Sequence, residues 1–480
     1  MKYVILLLIS LVFPSLAWCQ PTPAHQPWVA DRLRLLQAWI ESQMAYRGQP
    51  GLSIGIVHDQ ELLWAKGFGL ADRERAVPAT PDTRFRIASI TKTFTATAIM
   101  QLRDQGKLQL DDPVAKHLPW FAIRPREAGG PPITIRHLLT HVSGLPREAD
   151  FPYWTTDEFP TRDDLVKALP DHEQFFNAET RWKYSNLAVA LAGEIVAAVA
   201  GEPWDRYVQQ RILDPLGMTS TLPDASQEPV ADLATAYGRR LPDLSRPSRT
   251  SGLRTRGLAP AAGMVSNVRD LAKYVAMQFR TGPAGGGQVL SGASVREMHR
   301  VHWLNADWQG GQALGFQVRR ADDRTLVGHG GWLPGMRSQI SFDEKDKVGV
   351  IVLTNADDGN PGPYVDQVFR LVAPVLAKKT AETGAAPPPS AWTVYEGLYR
   401  SAWGDAQVIL LSTGLVIFDP SSLSNPDRIV RLRPQGEHAF RADGGFWDNG
   451  RDGEPVLFEM GSDGRVTRLK VGPNYSTPVR

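Results

Sequence analysis

The chain of 480 residues contains a single cysteine, Cys19. One thiol cannot form an internal disulfide, so core packing must stabilise the fold whatever the redox compartment. An excess of charge of one sign is missing too, because 53 Lys and Arg residues stand against 51 Asp and Glu residues, a net charge of +2. Such a balance does not favour a polyanionic partner such as a nucleic acid.

Long hydrophobic runs are also scarce. A membrane-spanning helix needs about 18 or more uninterrupted apolar residues. The best candidate after the N-terminus, residues 187–200, is interrupted by Glu194. We therefore expect no membrane span in the folded part of the chain.

The N-terminus itself is strongly apolar. Lys2 precedes a hydrophobic run that leads to Ala17, Trp18 and Cys19, an order that is typical of a secretory signal peptide. We predict a signal peptide over residues 1–19 and a periplasmic or secreted protein. A cut after Ala17 is one alternative. A lipoprotein signal with Cys19 as the lipidated residue is another, and bulky Trp18 disfavours it.

The hydrophobic periodicity predicts a mixed fold. Apolar residues recur at helical spacing over residues 28–46, which indicates an amphipathic helix that covers a sheet. Residues 52–68 and 337–354 have the pattern of two β hairpins. Between them the pattern is mostly helical, and sheet-like alternation returns only at Thr325.

The simplest architecture is an α/β (α+β) fold with an antiparallel sheet built from residues 28–85 and 266–377. Terminal helices would flank this sheet, and residues 86–265 would form a large, mostly helical insertion. The Pro- and Ala-rich residues 378–391 have the composition of a linker. Short strand-like runs beyond it predict a separate small β barrel over residues 392–480.

Ser89 and Lys92 form the first candidate motif. Side chains three residues apart share one face of a helix, so the spacing predicts an amine beside a hydroxyl on a single helix. A desolvated lysine can take the proton of a serine and activate it as a nucleophile. A serine and a lysine at this spacing occur by chance in many helices, so the pair alone is weak evidence of catalysis. The apolar residues that follow at helical spacing would bury this helix, and they are Phe94, Ala98, Ile99 and Leu102.

Tyr184 and Asn186 form the second motif, at the start of a helix-like run. A lysine ammonium can lower the pKa of a nearby phenol, which would let Tyr184 relay a proton. Asn186 can hold a lysine and a substrate through hydrogen bonds. In isolation the tripeptide is better explained by a packed tyrosine and an ordinary helix N-cap at Asn186.

The third motif, His329-Gly330-Gly331-Trp332, ends a predicted strand, and its glycines allow a ligand to approach the backbone closely. His137 and His141 share a helical face. They lack the glutamate of a zinc-peptidase motif, which favours anchoring roles over metal binding.

The three motifs occur in the order Ser89-x-x-Lys92, Tyr184-x-Asn186 and His329-Gly330-Gly331. Together they resemble the serine β-lactamase and penicillin-binding-protein superfamily. The Tyr-x-Asn form is similar to the class C-like branch, which includes family VIII esterases, D-aminopeptidases and D-alanyl-D-alanine carboxypeptidases. Residues 133–145, 213–218 and 260–266 resemble that family as well. Residues 392–480 resemble a lipocalin.

This resemblance implies a serine hydrolase that forms an acyl-enzyme on Ser89, with Lys92 and Tyr184 as base and proton relay and Asn186 positioning them. The backbone N–H groups of Ser89 and Trp332 would form the oxyanion hole. The third motif would contact the substrate, with His329 charged or neutral according to pH. No metal or organic cofactor is implied, and the substrate would be a small ester, amide or D-peptide.

Two departures from the family pattern narrow this expectation. The family's Lys-Thr-Gly is replaced by His329-Gly330-Gly331, so the cation and hydroxyl that would bind a β-lactam carboxylate are missing. The usual Pro-Gly turn before Tyr184 is replaced by Ala178-Glu179.

Ester or peptide hydrolysis is therefore favoured, and β-lactamase activity is the alternative. A non-catalytic protein that binds or senses peptidoglycan fragments is the alternative from another class. The aromatic loop of residues 151–154, together with Trp332, indicates an apolar pocket.

Overall fold

The computed structural model describes residues 26–225, 230–249, 253–280, 282–283, 285, 287–377, 388–421, 429–443 and 453–479. The predicted signal peptide, residues 1–19, lies outside the described residues. So do residues 378–387, which make up most of the predicted linker.

The described part of the chain begins with a helix and a hairpin, as the periodicity predicts. The helix buries apolar residues at spacings of three and four, and it ends at Gly48, whose φ of 58° is left-handed. The elements of this part are α1 (Pro27–Arg47), β1 (Gly51–His58), β2 (Glu61–Asp72), β3 (Val77–Pro78) and β4 (Phe85–Arg86).

The middle of the chain is mostly helical. Its elements are α2 (Thr91–Asp104), α3 (Val114–His117), α4 (Ile135–Leu139), α5 (Tyr153–Thr156), α6 (Arg162–Ala168), α7 (Asn186–Ala200), α8 (Trp204–Val208), α9 (Asp214–Leu216), β5 (Ala236–Tyr237), β6 (Ser248–Arg249), α10 (Ala259–Ala262) and β7 (Val265–Ser266).

The sheet is completed by the third part of the chain. Its elements are α11 (Val268–Gln278), α12 (Gly292–His299), β8 (Trp303–Leu304), β9 (Gly310–Gln312), β10 (Gln317–Ala321), β11 (Arg324–Leu333), β12 (Met336–Asp343), β13 (Val348–Thr354), α13 (Pro361–Leu371) and α14 (Ala373–Ala377).

Strands β1 to β3 and β8 to β13 form one nine-stranded antiparallel sheet in the order β3-β2-β1-β13-β12-β11-β10-β9-β8. The first and last hairpins meet in its centre, where β1 pairs with β13 and all seven residues of β13 are buried. Apolar side chains of α1 and α13 cover one face, and those of α2 and α11 cover the other. This is the predicted α/β (α+β) arrangement of a sheet, terminal helices and a helical insertion.

The hydrophobic alternation predicted that the sheet returns at Thr325, which is too late in the chain. Strands β8, β9 and β10 precede it. They are two to five residues long, and β9 is Gly310-Gly311-Gln312. Strands this short carry almost no alternation, which explains why the pattern missed them.

Helices α2 and α7 form the centre of the helical part. Every residue of α2 from Thr91 to Leu102 is buried, so this helix is enclosed on all sides. Within the described residues no single helix is long and apolar enough to cross a membrane, although the bent pair 186–200 and 204–216 reaches that length and composition together.

The C-terminal part is a closed barrel of eight strands, as predicted. The strands are β14 (Gly397–Ser401), β15 (Gly404–Leu411), β16 (Gly414–Phe418), β17 (Val430–Gly436), β18 (Ala439–Asp443), β19 (Pro455–Met460), β20 (Val466–Val471) and β21 (Asn474–Pro478).

The barrel packs against α1. Ile409, Leu411, Val416 and Phe418 belong to the same apolar cluster as the buried residues of that helix. At the edge of this contact, the Asp31 carboxylate accepts hydrogen bonds from the backbone N–H of Ser412, at 2.9 and 3.0 Å, and from its hydroxyl, at 2.5 Å. One helix therefore joins the barrel to the sheet.

Candidate active site

Ser89 lies on a short 3₁₀ turn, residues 88–90, directly before α2. The three-residue spacing predicted that Ser89 and Lys92 share a single helix, whereas the structure puts only Lys92 in α2. Ala88 has a left-handed φ of 47°, a strained conformation for a residue with a side chain and one that clusters at functional sites. Ser89 is half-buried while both of its neighbours are buried, so the turn presents its hydroxyl to the cleft.

The Lys92 amine lies beneath Ser89 and is surrounded by acceptors. It donates hydrogen bonds to Ser89 Oγ at 3.0 Å, to Asn186 Oδ1 at 2.8 Å and to the Ala261 carbonyl at 2.8 Å. Burial lowers the pKa of Lys92 to about 7, although the nearby Glu148 carboxylate opposes this shift. A substantial fraction of the amine is therefore neutral near neutral pH and able to accept a proton.

The Tyr184 phenol lies beside the Ser89 hydroxyl, and its ring centre is 5.0 Å from Lys92 Nζ. Burial raises the pKa of Tyr184 well above its ordinary value. This corrects the expectation that a lysine ammonium lowers it, because the loss of solvation outweighs nearby cations and Lys92 is itself only partly charged. Tyr184 therefore keeps its proton and can donate it.

Asn186 is the first residue of α7, but it is not the N-cap. Ser185 has that role, since its hydroxyl accepts a hydrogen bond from the Ala188 N–H at 3.0 Å. The Asn186 side chain is therefore available to bridge two charged groups. It accepts from Lys92 and donates to both Glu148 oxygens, at 2.8 and 3.1 Å.

Glu148 is a site residue that the sequence analysis did not identify. Besides Asn186, its carboxylate accepts hydrogen bonds from Trp154 Nε1, at 3.1 Å, and from the Tyr153 hydroxyl. Burial raises its pKa. Its one sequence signal is a carboxylate placed just before the aromatic loop at 151–154.

The third motif lines the same cleft. His329 is 3% exposed, and its Nδ1–H donates to the Gly330 carbonyl at 2.6 Å. Burial and the proximity of Lys92 lower the pKa of His329 to about 3. The expectation that it is charged or neutral according to pH is therefore wrong, because the ring stays neutral across the physiological range.

Gly331 holds strand β11 close to the Ser89 turn. A Cβ at this position would lie 2.2 Å from the Ile87 carbonyl oxygen and 2.3 Å from Ser338 Oγ. The Ser338 hydroxyl donates to the same Ile87 carbonyl at 2.8 Å, which ties β12 to the turn. Only glycine at 331 permits this approach.

The two helix-spaced histidines have separate partners. His137 Nδ1 accepts from the Thr134 N–H at 3.2 Å and caps α4. His141 Nδ1 accepts from the Ser185 N–H at 3.3 Å, and its ring centre is 4.4 Å from that of Tyr184. Among the described residues, no three His, Cys, Asp or Glu side chains are grouped to hold a metal ion.

The loop before Tyr184 keeps a left-handed turn without the family's glycine. Glu179 takes a φ of 64°. Its backbone N–H donates to the Val142 carbonyl at 2.9 Å, and its carboxylate lies 3.0 Å from His137 Nε2. These contacts hold the turn in a conformation that a residue with a side chain rarely adopts.

Ser89 opens into a cleft of about 510 Å³. The cleft is also lined by Tyr184, Asn186 and the whole third motif, while Lys92 lies beneath its floor. One wall is aromatic: the rings of Trp154 and Trp332 stack with centres 5.2 Å apart. The structure thus brings all eight predicted site residues to one place, beside an apolar wall.

The fold and this arrangement of serine, lysine, tyrosine and asparagine define one class of protein. Comparisons of the chain with known proteins agree with that class. The family model described as Beta-lactamase matches residues 36–373. The chain therefore belongs to the beta-lactamase family.

Among curated proteins, the chain is 26% identical over 465 residues to Beta-lactamase-like protein 2 of Dictyostelium discoideum, which covers 90% of this chain and 83% of that protein. Among solved structures, the octameric penicillin-binding protein homologue from Pyrococcus abyssi has a TM-score of 0.62 and 26% identity, over 92% of this chain and 99% of that one.

The D-amino acid amidase from Ochrobactrum anthropi SV3, complexed with L-phenylalanine amide, also has a TM-score of 0.62 and 26% identity, over 72% of this chain and 99% of that one. The Pyrococcus likeness therefore extends further along the chain than the amidase likeness. One of these similar structures is thus an amidase.

The lowered pKa of Lys92 predicts how labelling of Ser89 depends on pH. Only the neutral amine can take the serine proton, so the rate of fluorophosphonate labelling should rise with pH and be half-maximal near pH 7. Lys92→Met should lower the rate by about 100-fold or more and remove this pH dependence. Lys183→Met, a lysine in the neighbouring loop, serves as the control. A flat profile between pH 6 and 8 would contradict the assignment.

The close approach at Gly331 predicts a stability difference between adjacent glycines. Gly331→Ala should lower the free energy of unfolding by about 1–3 kcal/mol, because its Cβ would overlap the Ile87 carbonyl. Gly330→Ala should not be destabilising, since the nearest atom to its Cβ would be 3.8 Å away. Denaturant unfolding measures both, and equal stabilities would show that β11 can move away from the turn freely.

Proposed function

We propose that this protein is a serine hydrolase that forms an acyl-enzyme on Ser89 and cleaves a small ester or amide. The observation that carries the proposal is the contact of 3.0 Å between Lys92 Nζ and Ser89 Oγ inside a buried site. A lysine with a pKa of about 7 is a base at neutral pH, and a serine within hydrogen-bond distance is its natural proton donor.

In the acylation step, Ser89 Oγ attacks the substrate carbonyl carbon while its proton passes to Lys92 Nζ. The backbone N–H groups of Ser89 and Trp332 stabilise the negative oxygen of the tetrahedral intermediate. The bond to the leaving alcohol or amine then breaks, and the leaving group takes a proton through Tyr184. Lys92 returns the proton to Tyr184.

Deacylation repeats these steps with water. A water molecule attacks the acyl carbon, loses a proton to the Lys92 and Tyr184 pair, and the bond to Ser89 Oγ breaks with return of a proton to the serine. Asn186 keeps the lysine in place through both steps, and Glu148 keeps Asn186 in place. Every group needed for acyl transfer belongs to the chain itself.

The aromatic wall of the cleft favours amides and esters with an aromatic or bulky apolar group, D-amino acid derivatives among them. The stacked wall of Trp154 and Trp332 suits such a group. The similar structure from Ochrobactrum is an amidase of D-amino acids. Efficient β-lactam hydrolysis is disfavoured, because His329 is neutral and Gly330 has no hydroxyl.

Mass spectrometry of the intact protein tests the proposal. After exposure to a fluorophosphonate, the protein should gain one adduct that maps to Ser89. Ser89→Ala should gain none, whereas Ser338→Ala, which alters another serine of the cleft, should still carry the adduct. Labelling of Ser89→Ala at the parent rate would exclude Ser89 as the nucleophile.

A substrate panel then separates the alternatives. Nitrophenyl esters, D-aminoacyl amides, D-alanyl peptides and a chromogenic cephalosporin should be tested side by side, with turnover expected for the esters and amides. If the protein binds one of these four compounds but turns over none of them, a non-catalytic binding or sensor protein is favoured instead.

We also propose that the protein is exported, on the basis of the signal-like residues 1–19. The mature protein should be recovered outside the cytoplasm with Gln20 at its N-terminus. An intact Met1 on the cytoplasmic protein, measured by N-terminal sequencing, would contradict export.

A further inference from the structure

A second cavity of about 310 Å³ adjoins the cleft on the far side of Gly330. The two cavities share five lining residues, which are Trp182, Gln317, His329, Gly330 and Gln339. The two cavities therefore adjoin along these residues, and they are called here the two parts of one groove. Ser89 and the aromatic wall belong to the first part of the groove, and the second part has no role in the reaction described above.

Gly330 leaves the passage between the two parts open. It lies within the strand β11 opposite Gln339, and it is half-buried. A Cβ built here would have no atom closer than the Ser338 carbonyl oxygen at 3.8 Å. Backbone packing therefore does not require glycine at 330, in contrast to Gly331, and any larger side chain would project into the groove.

The second cavity differs chemically from the aromatic wall. Its lining is rich in carboxamide side chains, which are Asn305, Gln309, Gln312, Gln317 and Gln339. Its two charged lining residues both have partners, since Arg319 is paired with Asp366 at 2.5 Å and the Asp307 carboxylate accepts a hydrogen bond from the Gln309 backbone N–H at 3.0 Å. Carboxamides both donate and accept hydrogen bonds, so they match uncharged groups that do the same, and peptide amides are such groups.

We propose that this second cavity, called here the amide lobe, receives an uncharged peptide extension of the substrate, and that Gly330 admits it. The inference rests on the proposed function, because the extension is useful only if the scissile bond lies at Ser89. Position 330 then determines specificity by its lack of a side chain, and the substrate class is a peptide-bearing ester or amide.

Two series of thioester substrates test this, with thiol release as the measurement. In one series the acyl side is lengthened by two glycyl units, and in the other the thiol side is lengthened in the same way. Each is compared with an alkyl chain of equal length. The parent protein should show at least a tenfold higher kcat/KM for the peptide than for the alkyl chain in one series.

Gly330→Val should reduce this peptide preference to about threefold or less by filling the passage, and Gly330→Ala should have an intermediate effect. The double change Gln317→Ala and Gln339→Ala removes hydrogen-bonding groups without filling the groove, and it should also reduce the peptide preference. This second variant keeps the test decisive if the valine variant fails to fold. Gln435→Ala, on the barrel surface, is the control and should keep the preference.

The inference is overturned if the parent prefers alkyl chains or has no preference in either series, or if Gly330→Val keeps the peptide preference. Fluorophosphonate labelling is measured on the same samples. A parent that fails to label at Ser89 would refute the proposed function, whereas one that labels but lacks the peptide preference would refute the amide lobe alone.

Discussion

The buried amine of Lys92 is the constraint on which the helical half of the molecule depends. Removing an amine from water is costly unless its N–H groups find acceptors. The three acceptors come from three separate elements, namely the turn at Ser89, the start of α7 at Asn186, and α10 at Ala261. A single side chain therefore joins these three elements through hydrogen bonds.

Glu148 extends this constraint to the wall of the cleft. Through Asn186 its carboxylate supports the lysine, and through Trp154 and Tyr153 it supports the aromatic rings. The groups that would move protons and the groups that would select a substrate thus share one carboxylate. A change in the aromatic loop is transmitted to the polar centre of the site, because a buried hydrogen-bond network adjusts as a unit.

The sequence revealed the features of the site that depend on short spacing. Ser89 and Lys92 are three residues apart, and Tyr184 comes directly before the N-cap of the helix that Asn186 begins, so short spacing was enough to predict that each pair lies close together, although Ser89 lies on a turn before α2. The central hairpins were likewise visible, because β1 and β13 are long and strongly apolar. The barrel strands were visible through their regular turns.

Other features depend on the tertiary fold and could not be predicted. Glu148 lies in a loop, and its contact with Asn186 follows from how that loop folds over α7. The charge states of Tyr184 and His329 were predicted incorrectly because they depend on burial, which no motif encodes. The strands β8 to β10 were missed because hydrogen bonds to neighbouring strands define them, with little help from side-chain pattern.

Buried apolar residues of helix α1 form one cluster with residues of the sheet and of the barrel. The sheet and the barrel therefore share this apolar core, and loss of the helix would expose apolar surface on both. The two parts of the chain are then expected to unfold together, although each has its own sheet. In this molecule the barrel is a folding partner of the hydrolase-like part, because helix α1 contacts both.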